Sequence, residues 1–222
     1  MTENIRFILA SASPRRHDLL NSVGIPHEIS VSDAEENPSG VPESGESYPE
    51  YYAREASIAK GEAVAAEISR SEEAFLKSGG KIYVISADTV VSPDFENVFG
   101  KPKDAAHAKE MLRTLSGTEH FVIGGITVIE INDGFNRSIS DCVITSVFMK
   151  ELTDREIDAY IESGEPDGKA GAYAIQGLGG AFISSIKGDY PNVVGISVYR
   201  LIDILSREFG VNLTEEARHV IC

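Results

Sequence analysis

Four short stretches of the 222-residue chain carry side chains whose types and spacing could do chemistry. In Leu9-Ala10-Ser11-Ala12-Ser13-Pro14-Arg15-Arg16, an apolar run leads into a helix start bearing two hydroxyls and two guanidiniums. Free backbone N–H groups and the positive end of a helix dipole attract an anion there, and arginine adds paired planar donors suited to phosphate oxygens. A capped helix with two solvated arginines is the plain alternative. In Ser86-Ala87-Asp88-Thr89-Val90-Val91, a carboxylate ends an apolar run. Asp88 would then stand at the carboxyl edge of a sheet, where it could hold a metal or orient a water, or simply cap a turn. Gly100-Lys101-Pro102-Lys103 concentrates two positive charges before a helix cap, with Pro102 biasing Lys101 toward an extended backbone. Lys169 to Gly180 is rich in small residues that admit a ligand close to the backbone, and its Gln176 can donate and accept, as reading a base edge requires. For these last two stretches a solvated turn and an ordinary loop are the alternatives.

Other chemistries are missing. The Gly-rich stretch is neither a Walker loop nor a dinucleotide turn, and no Gly-x-Ser-x-Gly elbow occurs. The five histidines show no close pair at metal-ligand spacing and are expected to be surface or structural residues. Cys142 and Cys222 make neither a disulfide framework nor a zinc pattern, and Cys142, in a β-rich run, is expected in the core. The acidic run Asp33-Ala34-Glu35-Glu36 is by pattern a solvated loop, and gains interest because a magnesium site needs more oxygen ligands than Asp88 alone.

Strands and helices alternate along the chain, which places it in the α/β class. The pattern predicts a strand over 6–10, a helix from Pro14 closed by Gly24, a short strand over 27–31 and a flexible loop over 32–49. A long helix over 51–76 follows, with Tyr52, Ala56, Ala59, Ala63 and Ala66 on one face and Lys60 at its edge. Next come a strand over 82–87, a turn at Pro93-Asp94, and a helix capped by Asp104. Asn132-Asp133-Gly134 joins a hairpin of 120–131 with 137–148. Thr153 and Glu156 form a capping box, and a last helix carries Val198, Leu201, Ile202, Leu205 and Phe209 on one face. No linker divides the chain, so a single domain over 1–222 is expected.

Composition narrows the partners. With 20 basic and 35 acidic residues the formal charge is −15, which disfavours wrapping nucleic acid or binding anionic membranes. No run approaches the roughly 18 apolar residues of a membrane helix. A reducing, cytoplasmic setting fits.

Together these stretches resemble the Maf family of nucleoside triphosphate pyrophosphatases. The matching segments are 9–20, 32–36, 52–60, 87–91, 100–117 and 160–195, in the family's order. The resemblance implies a mixed, twisted sheet flanked by helices, with two lobes around a central cleft, an architecture shared with inosine triphosphate pyrophosphatases. It implies hydrolysis of a nucleoside triphosphate to the monophosphate and pyrophosphate with Mg²⁺ or Mn²⁺, in a homodimer. By the same resemblance Asp88 is the general base or metal-proximal carboxylate. Arg15, Thr89 and Gln176 match base-selecting positions of the branch acting on dTTP and UTP. Ser13, Arg16, Lys60 and Lys101 match phosphate-facing positions, and Glu36 an acidic metal-site position. The 38–49 and 69–80 segments are longer than usual for the family, Ala174 replaces a common Gly, and Gly125 stands where bulkier residues are usual. Two other readings remain open at this stage: a purine-type enzyme acting on ITP or 7-methyl-GTP, and a nucleotide-binding division regulator without turnover.

Overall fold

The computed structural model describes residues 4–32, 38 and 40–213. Its framework is one six-stranded mixed sheet in the order β2-β1-β3-β4-β5-β6. The strands are β1 (Ile5–Leu9), β2 (Glu28–Ile29), β3 (Lys81–Ser92), β4 (Glu119–Asn132), β5 (Phe135–Met149) and β6 (Ile183–Lys187). The helices are α1 (Pro14–Ser22), α2 (Tyr48–Ser71), α3 (Glu73–Lys77), α4 (Ala105–Leu115), α5 (Asp154–Glu162), α6 (Tyr190–Val194) and α7 (Val198–Phe209). β1 runs parallel to β2 and β3, whereas β3 to β6 form an antiparallel meander.

Alternation along the strands sorts the first lobe into two layers. Phe7, Leu9, Tyr83 and Ile85 pack on Leu20 of α1 and on Leu201, Ile204 and Leu205 of α7. On the opposite face, Ile8, Ile82, Val84 and Ile129 pack on Val64 and Ala65 of α2 and on Leu76 of α3. Further along the long strands, Val91, Val122, Val147 and Met149 bury α4 through Met111 and Leu112, and α5 through Ile157 and Tyr160. The strands β3, β4 and β5 thus thread two lobes, and a cleft lies between them.

Several expectations change in detail. Asp88 does not end a strand: β3 continues to Ser92, with Asp88 opposite Gly125 and Thr89 opposite Gly124 on β4. What ends is β1. Its pairing stops at Leu9 with Ile85, and β3 is next bridged on that side where Val91 meets Phe99. Asp88 therefore sits in mid-strand, beside an edge that its parallel neighbour has vacated.

The helix expected over 51–76 starts earlier, at Tyr48, because Ser47 and Glu50 make a capping box and Pro49 is tolerated in the first turn. It breaks at Glu72, after which α3 makes a separate turn. Its buried face is also rotated from the expected one. Ala53, Ala56, Ser57, Gly61, Val64 and Ala65 are buried, while Ala66 is exposed. Alanines on every side blur the periodicity, and what decides the face is how closely the helix can lie on the sheet. A Cβ on Gly125 would come within 2.0 Å of the Ala53 carbonyl oxygen, and one on Gly61 within 2.6 Å of Ser86 Oγ. Ser57 completes the contact, bonded to Thr127 Oγ1 at 2.7 Å and accepting from Ser86 Oγ at its carbonyl. On α7, Ile202 faces solvent and Ile204 is buried in its place.

Candidate active site

The close seating of α2 turns Lys60 toward β3, where its Nζ lies 2.6 Å from Asp88 Oδ1. The two side chains are 14% and 11% exposed, so the pair is largely withdrawn from solvent at the cleft wall. Lys60 is the carboxylate's one partner among the described residues, and Oδ2 is left for a water or a cation.

Opposite, α1 presents its N-terminus. Ser13 is the N-cap residue, and its side chain makes no capping hydrogen bond. Arg16 is buried and donates through all three guanidinium nitrogens: Nε to the Gly195 carbonyl at 2.8 Å, one terminal nitrogen to Ser11 Oγ at 3.0 Å, the other to Thr89 Oγ1 at 3.3 Å. The Thr89 hydroxyl in turn donates to the Gly195 carbonyl at 3.2 Å. Arg15 donates to the Val194 carbonyl at 3.2 Å, and its burial lowers the guanidinium's pKa from its usual value. The end of α6 is thereby fastened to the start of α1 and to β3 by one planar fork, a geometry an ammonium could not supply.

The cleft measures about 730 Å³ and is lined by Ser13, Arg15, Arg16, Lys60, Asp88, Thr89, Lys101 and Gln176, so eight of the nine expected site residues meet on one surface. Glu36 lies outside the described residues. Among the described lining residues five are cationic (Arg15, Arg16, Lys60, Lys101 and Lys169) and one, Asp88, is acidic. In a chain of charge −15 this is a strong local inversion, and it favours a polyanion of compact size.

A family profile described as Maf-like protein matches residues 6–208. The chain belongs to the Maf family. It is 42% identical over 208 residues to the dTTP/UTP pyrophosphatase of Alkaliphilus oremlandii (strain OhILAs), covering 94% of this chain and 98% of that protein. It is 44% identical over 208 residues to the dTTP/UTP pyrophosphatase of Geotalea uraniireducens (strain Rf4), covering 93% and 97%. The structure of the Staphylococcus aureus Ham1 protein overlaps with a TM-score of 0.38 at 13% identity, over 65% of this chain and 71% of that one, too slight a similarity to inform the site.

In this Maf chain a metal cage made wholly of protein does not form among the described residues, where no three His, Cys, Asp or Glu side chains gather. The donor set nevertheless fits the way Mg²⁺ is usually held, by one or two carboxylates completed with phosphate oxygens and water.

Some participants had no signal in the sequence. Gly195 acts through its backbone carbonyl, which no side-chain pattern reveals. Lys169 and Tyr173, inside the candidate stretch 169–180, also line the cleft. Tyr52, expected on the packing face of α2, lines the cleft instead.

Two of the histidines make a structural pair. His17 and His27, ten residues apart, meet ring to ring, with His17 Nδ1 and His27 Nε2 at 2.8 Å. His27 Nδ1 faces the Ile25 carbonyl at 2.8 Å and so carries its proton there, which leaves Nε2 to accept from His17. Cys142 is half-buried, donates to the Glu50 carbonyl, and has its thiol pushed up to about 12, first by burial. It is inert as a nucleophile at neutral pH.

Proposed function

We propose that this protein hydrolyses dTTP and UTP between the α and β phosphates, releasing the nucleoside monophosphate and pyrophosphate. The observation that carries the reading is the charge of the cleft: among the described residues, five cations around one carboxylate, in an otherwise acidic protein. A triphosphate brings about four negative charges, which matches that surplus. The names of the relatives at 42–44% identity point to the same substrates.

In this reading Asp88 is the general base. Water attacks the α-phosphorus, its proton passes to the free carboxylate oxygen of Asp88, and the bond from the α-phosphorus to the bridging oxygen breaks, with the electron pair leaving on pyrophosphate. Lys60 fixes the carboxylate's rotation through Oδ1. Ser13, Arg16, Lys60 and Lys101 meet the phosphates, a task of positioning and charge neutralisation more than of covalent chemistry. Arg15, Thr89 and Gln176 select the base. Asp88, with Glu36, would hold Mg²⁺ or Mn²⁺, which when bound neutralises phosphate charge. The whole chain acting as one domain, a homodimer and a cytoplasmic setting belong to the same reading.

The test is pyrophosphate release from dTTP, UTP, CTP, GTP, 7-methyl-GTP and ITP with Mg²⁺ or Mn²⁺. Preference for dTTP and UTP is expected. Preference for ITP or 7-methyl-GTP would overturn the pyrimidine assignment, and nucleotide binding without release of pyrophosphate would overturn the catalytic one.

A further inference from the structure

Gln176 stands exposed on a loop, and an exposed side chain on a loop of small residues selects a base only if something holds the loop still. Two residues behind the cleft do so. Glu165 Oε2 accepts from the Leu178 amide at 2.9 Å, and Oε1 accepts from the Gly179 amide at 2.8 Å and from the Tyr160 hydroxyl at 3.0 Å. The Tyr160 hydroxyl itself accepts from the Ala174 amide at 3.2 Å. The two ends of the segment 174–179 are therefore tied to one hydroxyl–carboxylate pair, with Gln176 midway between the ties.

The pair is rigidly founded. Tyr160 is 3% exposed in the core of the second lobe, with its ring packed edge-on against Phe182 at 5.0 Å. Burial works to raise the pKa of Glu165, but the Gly179 and Leu178 amides prevail and hold the carboxyl below its ordinary range. The loop is built around these atoms. Gly177 has φ of +91°, and a Cβ there would lie 2.6 Å from Glu165 Oε2, while one on Gly179 would lie 2.6 Å from the Tyr160 hydroxyl. Neither Glu165 nor Tyr160 is among the residues lining the cleft.

We infer that Glu165 and Tyr160 are positioning residues for base selection, holding the 174–179 loop so that Gln176 meets the base edge. The inference rests on the function proposed above. It predicts damage confined to the part of the substrate that the loop reads. Glu165→Gln must point an NH₂ group at one of the loop amides, and Tyr160→Phe strips the Ala174 amide of its acceptor.

The experiment compares wild type, E165Q and Y160F on dTTP and on 2-deoxyribose 5-triphosphate, which presents the same phosphates without a base. Loss of a hydrogen bond to a charged group corresponds to about tenfold or more. Both variants should lower kcat/KM for dTTP by about that factor. The loss should fall on KM, with kcat/KM for the base-less triphosphate unchanged. A parallel fall on both substrates would make the pair merely structural and overturn the inference, as would no change on either. Wild type inactive on every nucleoside triphosphate would instead remove the proposed function, and the inference with it.

Discussion

Asp88→Asn separates chemistry from architecture, because the amide keeps the shape of the carboxylate while removing its charge and its proton affinity. Asp88 is 8% exposed and touches Lys60 at 2.6 Å. Removing one member of a fully buried ion pair costs about 3–5 kcal/mol. This pair opens on a water-accessible cleft, and the amide oxygen still accepts from the Lys60 ammonium, so the stability cost should be about 1–2 kcal/mol. Against the roughly 5–15 kcal/mol of a typical domain, that leaves nearly every molecule folded. The rate should fall much further, by about 10²–10⁴-fold for loss of a general base, equivalent to about 3–5 kcal/mol of barrier. The assay pairs urea unfolding with pyrophosphate release at saturating dTTP. Lys60→Met should cost much of the same activity, and the double variant little more than D88N alone, because residues acting as a unit are not additive. If D88N keeps more than about a tenth of the wild-type rate, a loss below the general-base range, the assignment of the base is wrong.

Three further outcomes follow from the geometry. Arg16→Lys cannot reproduce the three-point fork to Gly195, Ser11 and Thr89. It should reduce dTTP turnover by about tenfold or more and stability by about 2 kcal/mol, read by steady-state kinetics and urea unfolding. His120 is fully buried, shares a 2.8 Å hydrogen bond with the Tyr173 hydroxyl, and has its pKa lowered by burial to about 4. The folded state thus takes up its proton less readily than the unfolded one. Stability should be intact above about pH 6.5 and decline as pH falls toward 4, by about 3 kcal/mol from this residue, a slope that His120→Phe should flatten in urea titrations at stepped pH. Gly125→Ala would drive a methyl group to 2.0 Å from the Ala53 carbonyl oxygen, which is backbone and cannot swing aside. It should destabilise the protein by about 3 kcal/mol or more, and a variant of wild-type stability would show that α2 can lift from the sheet.

Most elements were legible because their signals are local. Ser47 with Glu50 does not stand out as a cap in the sequence, because the Ser-, Gly- and Pro-rich residues before it suggest a loop running on to Pro49. The sequence places the end of β3 at Ala87, because a charged residue ordinarily ends an apolar run. In the fold its hydrogen bonds to β4 continue past Asp88, and the side chain is matched by Lys60. The buried face of α2 differs from the expected one for a different reason. Alanine carries little directional information, so the contact was settled by Gly125 and Gly61, whose missing side chains matter only once helix and sheet are brought together.

Residue type and order alone established the α/β class, the hairpin at Asn132-Asp133-Gly134, the capped helices, and the set of side chains worth watching, since propensity, capping and charge act over a few residues. Which of those side chains share a surface was decided by packing across distant segments. Arg16 finds the Gly195 carbonyl 179 residues away, and Lys60 finds Asp88 across 28. Glu165 and Tyr160 find the two ends of a loop whose sequence gives no hint of being held. Backbone acceptors and the closeness of two layers have no side-chain signature. They exist only after the chain has paid its conformational entropy and the core has closed.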